Sequence, residues 1–167
     1  MTRSDLPAAW TERDTLQTFL DYSRETAVEK CTGVSQQHAS AAPLTTSPLM
    51  TLGGVLHHLR WVETWWIEVV LLGGEDVSPP TEGEPDREFT VGTELPIADV
   101  IADYQDRSAH YDDLIADIDL DTMSVRPIRN GQHVPLRWIL HHLIEETARH
   151  NGHLDILREL ADGATGD

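Results

Sequence analysis

The chain has 167 residues, a length that fits one domain of roughly 150 residues with a core that needs no covalent staple. Its 12 Lys and Arg against 29 Asp and Glu leave a formal net charge of −17, a surface that repels phosphate backbones and anionic lipid and argues against nucleic-acid or membrane partners. An apolar share of 40% excludes wholesale disorder, and Cys31, the single cysteine, has no internal partner, which fits a reducing compartment.

The first seven residues lack the apolar run of a signal peptide, and no stretch approaches the ~20 apolar residues of a membrane helix, so the expectation is a cytoplasmic protein. The acids are concentrated between Glu75 and Asp121. That region reads as a solvated face that keeps the protein soluble, and it names no substrate.

Four segments carry helical periodicity. The first runs from about Thr11 to Cys31, with Leu16, Leu20, Ser23 and Ala27 on one stripe and Gly33 as a stop. Thr32 to Ser47 is polar, holds Pro43 and reads as a connection. The second runs from about Leu52 to Leu72, where Val55, Leu59, Val62, Trp66 and Val69 keep the spacing of one helix face. Thr51 or Ser47 can cap it, and Gly73-Gly74 ends it. Ser78 to Gly92, with Pro79, Pro80 and Pro85, reads as an irregular surface loop.

The third segment runs from about Ile97 to Ile118, with Val100, Tyr104, Ser108, Tyr111 and Ile115 on its inner stripe. Ile128 to Val134, built around Asn130-Gly131, predicts a small β-hairpin, because Asn-Gly suits a type I′ turn. The fourth starts at Pro135 and runs to about Leu160, with Leu136, Leu140, Leu143, Thr147 and Leu154 inward and Gly163 as its stop. Four amphipathic helices with long connections at 32–50 and 73–96 predict an all-α four-helix bundle forming one domain over 1–167.

The fourth helix carries the chemistry: His141 to Asp155 reads HHLIEETARHNGHLD. At about 100° per residue, His150 lies about 40° and His153 about −20° from Glu146 around the axis. These three share a stripe beside the Leu140/Leu143/Leu154 core stripe, where polar groups are costly unless paired or ligated. Glu146 and His150, one turn apart, can reach a single ion. A third ligand must come from another helix, and the second offers His57 and His58. His58 lies on the side of Val55, Val62 and Trp65, hence inward, whereas His57 points about 100° away toward the boundary or solvent. His58 is therefore preferred. Two imidazoles and a carboxylate leave room for a further ligand and suit Zn²⁺, with Ni²⁺ or Fe²⁺ also compatible. The bland alternative is a surface His/Glu pair at i, i+4.

His153 is a candidate group behind the ligands or in a substrate pocket, or else a hydrogen-bonded boundary residue. Arg149 is a candidate for a substrate carboxylate, or else pairs with Glu145 or Glu63. Trp65 is a candidate pocket wall, or else joins Trp61, Trp66 and Trp138 in core or dimer packing. Arg137 reads as a surface cation, Glu63 as a structural partner and Cys31 as a small core residue.

Leu52 to Trp66, LGGVLHHLRWVETWW, and Leu136 to Glu159, LRWILHHLIEETARHNGHLDILRE, resemble the DinB-like superfamily of four-helix metalloproteins, more closely its branch of domains of unknown function. In that superfamily His58 matches the ligand on the second helix and His150 the last ligand on the fourth. Glu146 departs from the usual three-His pattern and is similar to the mycothiol-dependent maleylpyruvate isomerase branch, which uses His, Glu and His. The resemblance implies a divalent metal that binds a low-molecular-weight thiol (mycothiol, bacillithiol or glutathione), whose thiolate attacks a small electrophile. The function expected is thus a metal-dependent thiol S-transferase or isomerase, acting as a homodimer. The rivals are a non-catalytic dimeric metal-binding or stress-related bundle and, more weakly, a metal-activated hydrolase.

Overall fold

The computed structural model describes residues 3–77 and 86–166. Six α-helices carry these residues: α1 (Glu12–Cys31), α2 (Gln36–Ala39), α3 (Leu52–Thr64), α4 (Arg87–Glu94), α5 (Ile97–Ile115) and α6 (Leu136–Asp162). The four long ones are the four periodic segments, and they form an all-α bundle. α1 lies mainly along α6, α3 lies along α5 and against α6, and α4 covers α3. None of the described helices is long and apolar enough to cross a membrane.

Local chemistry sets the helix ends. The Thr11 hydroxyl accepts the amide of Asp14 at 3.1 Å, and the Thr51 hydroxyl accepts that of Gly54 at 2.9 Å. Each satisfies one of the donors a helix start leaves open. Of the two caps open for the second helix, Thr51 is the one used. α6 stops at Gly163, whose φ of 76° is the left-handed conformation glycine adopts without a Cβ penalty.

Three expectations are corrected. The segment 78–92 was expected as an irregular loop; residues 78–85 lie outside the described residues, but Arg87–Glu94 is helix α4. The second periodic segment does not stay α-helical. After Thr64 it widens into π-helical turns over Trp65–Leu71, where the amide of Leu72 reaches back five residues to the carbonyl of Ile67 at 3.1 Å. The hairpin before α6 is reduced to its turn. Asn130 and Gly131 both have positive φ, 69° and 73°, as the Asn-Gly pair predicts, but Met123 and Pro135 form one isolated bridge and no strand pairs there.

The core has two apolar layers. One contains Leu16, Leu20, Ile67, Tyr111, Ile115, Leu136, Leu140 and Leu143. The other contains Ala27, Cys31, Leu52, Leu56, Leu59, Tyr104, Leu154 and Leu157. Truncating any one of these buried leucines to alanine costs about 2–5 kcal/mol. Cys31 is fully buried, and desolvation pushes its thiol up to about 12, so it is a packing residue.

On each of the four long helices the residues between the two layers are polar and buried: Arg24 on α1, Glu63 on α3, Ser108 on α5, Thr147 and Asn151 on α6. Arg24 Nε and Nη2 donate to the two oxygens of Glu63 at 3.0 and 2.7 Å, and Tyr104 donates its hydroxyl to Glu63 at 3.1 Å. Arg24 Nη1 also donates to Asp112 at 2.7 Å and Asp21 at 3.1 Å. Asn151 donates to the backbone carbonyl of Ser23 at 2.9 Å. This polar layer fixes the level at which the candidate site lies.

Candidate metal centre

Two helices supply the site. Glu146 and His150 stand one turn apart on α6, and His58 faces them from α3. One ligand-capable atom of each lies within 4.8 Å of those of the other two. His58 Nε2 is 3.7 Å and His150 Nε2 is 3.5 Å from the same oxygen, Glu146 Oε1. The side chains are nearly enclosed, at 14%, 17% and 13% exposure for His58, Glu146 and His150.

These distances leave room for a divalent ion among the three groups. Zinc bonds of about 2.0–2.1 Å place neighbouring ligand atoms about 3.3 Å apart, close to the two separations from Glu146 Oε1. The donor set is also of the right kind, two imidazoles and a carboxylate. His150 is held neutral: burial is the main cause of a pKa lowered to about 4, assisted by neighbouring His58 and His153 and opposed by Glu146. A neutral imidazole has a lone pair to give.

The surrounding residues fall into two groups. His153 Nδ1 is 3.3 Å from His150 Nδ1, so it contacts the face of His150 turned away from the cluster. Glu88 Oε1 is 3.0 Å from His58 Nδ1, and Phe89 stacks on the His58 ring with centroids 4.4 Å apart and planes 14° from parallel. Arg149 stays outside. It is 58% exposed, pairs with Glu145, and its nearest approach to Glu146 is 3.8 Å. Of its two expected acid partners it takes Glu145, because Glu63 is committed to Arg24. Trp65 is 42% exposed, and no described ring pairing joins it to Trp66, Trp138 and His142, which pack on one another. Arg137 is a surface cation between Glu12 and Asp121.

His57 corrects the sequence reading. It does not face solvent: it is 7% exposed because α4 covers its side of α3. Its Nδ1 donates to the backbone carbonyl of Glu88, and its Nε2 accepts the indole N–H of Trp61 at 3.4 Å. Sequence reasoning missed Glu88 and Phe89, because prolines upstream disguised α4 as loop. The available signal was glycine. Gly53 and Gly92 meet so closely that a Cβ on Gly92 would lie 2.5 Å from the Gly53 carbonyl oxygen, a spacing only two glycines allow at a helix crossing.

An all-α bundle of this kind is the architecture of the DinB-like superfamily. Comparison with known families is more specific. A family model for mycothiol-S-transferase matches residues 15–163, almost the whole chain, and the protein belongs to that family. No curated protein matches it.

Proposed function

We propose that the protein is a metal-dependent mycothiol S-transferase, joining the sulfur of a low-molecular-weight thiol to the electrophilic carbon of a small molecule. The convergence of His58, Glu146 and His150 on one point, in a chain of this family, is the observation that carries the reading. His58 and His150 offer neutral nitrogens, and Glu146 the only negative charge. The set thus offsets half the charge of a divalent ion and leaves a preference for one more anionic ligand. A divalent ion held there supplies Lewis acidity that lowers the pKa of a thiol bound to it. Phe89, lying flat on His58, keeps water off that imidazole. His153 steadies His150 from behind. The thiolate attacks the electrophilic carbon, the C–S bond forms as the bond to the leaving group breaks (C–Cl, releasing chloride, in monochlorobimane), and the thiol proton leaves to water.

Zinc is the proposed ion, since the donor set suits it; the set also accepts nickel or iron(II). A homodimer, a cytoplasmic location and a single domain over 1–167 belong to the same proposal. Arg149 and Trp65, both accessible at the surface, are proposed to touch the substrate's outer part.

The test combines metal analysis with thiol consumption. Purified protein is expected to carry about one equivalent of divalent metal and to consume mycothiol with monochlorobimane as electrophile. Chelation is expected to abolish turnover, and His150→Ala to lose the metal. Undiminished metal in His150→Ala overturns the ligand assignment. A metal-loaded protein that consumes neither mycothiol, bacillithiol nor glutathione overturns the transferase reading.

A further inference from the structure

Glu88 meets two consecutive histidines and treats them differently. Its backbone carbonyl takes the Nδ1 proton of His57, so His57 Nε2 is unprotonated and accepts from Trp61. Both nitrogens of His57 are thereby spent, and this ring is withdrawn from α6. The Glu88 side chain instead approaches His58, with Oε1 3.0 Å from Nδ1. That contact is close but not aligned as a hydrogen bond, and His58 Nδ1 is a buried nitrogen with no hydrogen-bond partner among the described residues. The Glu88 side chain is 35% exposed, and its carboxylate is the acceptor nearest to that nitrogen among the contacts described. The His58 ring itself is held by its stack on Phe89.

A neutral imidazole carries one proton, and the acceptor beside it decides which nitrogen holds it. We propose that Glu88 is a positioning residue for the candidate metal centre. Its carboxylate holds the proton of His58 on Nδ1, which leaves Nε2 unprotonated and directed at Glu146 and His150. α4 thus selects which of the two adjacent histidines serves the site: the Glu88 backbone retires His57 and its side chain orients His58. The Gly53–Gly92 contact and the 2.7 Å hydrogen bond between the Thr51 and Thr93 hydroxyls keep α4 close enough to do both. Glu88 also begins α4 as an acid in its first turn, a position the helix dipole favours.

This assignment rests on the proposed role of His58 as a ligand, and its test separates the two. Zn²⁺ affinity is measured by competition with a chromophoric chelator for the unsubstituted protein, Glu88→Ala and Glu88→Gln. The proton position on His58 is read by ¹⁵N NMR of the imidazole in metal-free protein. Glu88→Ala is expected to bind Zn²⁺ about 10–100-fold more weakly, the usual effect of removing a group that orients a ligand, and to shift His58 from the Nδ1–H toward the Nε2–H form. Glu88→Gln keeps the side-chain length and one acceptor oxygen. It is expected to fall between the two, and it supplies the answer where the alanine variant fails to fold. If the unsubstituted protein binds no Zn²⁺, the ligand reading falls and takes this assignment with it. If it binds Zn²⁺ and Glu88→Ala matches it in affinity and His58 proton position, this assignment alone is overturned.

Discussion

Two polar clusters interrupt the apolar interior at nearly the same level, and they are built on opposite principles. Around Arg24, every strong group is answered within the protein: the guanidinium serves Glu63, Asp112 and Asp21, and Tyr104 completes the shell of Glu63. Around Glu146, two imidazole nitrogens approach a single carboxylate oxygen at 3.5 and 3.7 Å, too far for good hydrogen bonds. The first cluster is closed and structural. The second brings ligand-capable atoms of three side chains within 4.8 Å of one another without a close pairing among them. A buried polar group alone is therefore weak evidence of function; ligand-capable groups that converge without pairing closely are stronger evidence.

The sharpest way to break this contrast is to unpair the closed cluster. Arg24→Met leaves the Glu63 carboxylate, 1% exposed, without its cation. The expected loss is about 3–5 kcal/mol in chemical denaturation. Replacing both partners with methionine is expected to recover most of it, because two matched apolar groups no longer carry a desolvation penalty. Failure of the double variant to regain stability would show that the ionic pair itself is needed.

A smaller effect is expected from Gly92→Ala. The new methyl would meet backbone and the His57 Cβ at 2.4–2.5 Å, so α4 must back away from α3. A cost of about 1–3 kcal/mol is expected, with weaker metal binding, since Glu88 and Phe89 move with α4. Loss of stability with unchanged Zn²⁺ affinity would detach α4 from the site. The smallest effect is expected at Arg149→Ala. Its exposed pair with Glu145 is worth under about 0.5 kcal/mol, so the melting temperature should barely move. A large rise in KM for the thiol or electrophile at unchanged stability would instead confirm its proposed contact with substrate.

The four long helices were legible because each buries a continuous stripe, and burial writes a period of 3.6 residues into the sequence. Glu146 and His150 were legible for the same reason, being one turn apart beside that stripe. His58 emerged from choosing between two neighbours by angle, and it stands beside Glu146 and His150. The same argument misplaced His57, because it assumed that the face away from the bundle meets water. α4 covers that face, and α4 is too short and too close to prolines to declare itself. The π-helical turns over Trp65–Leu71 left no trace in the apolar spacing either. What escaped was set by contacts between elements rather than by preference within one.

The pairing of Arg24 with Glu63 has a consequence beyond its own energy. Glu63 lies five residues after His58 on the same rod, and Arg24 can meet it at only one longitudinal setting of α1 against α3. Sliding either rod by a turn would strand a charge among leucines. Asn151, beside His150, ties α6 to the carbonyl of Ser23, the neighbour of Arg24, in the same way. Both rods that carry the candidate site are thus indexed to one notch on α1, which keeps His58 level with Glu146 and His150.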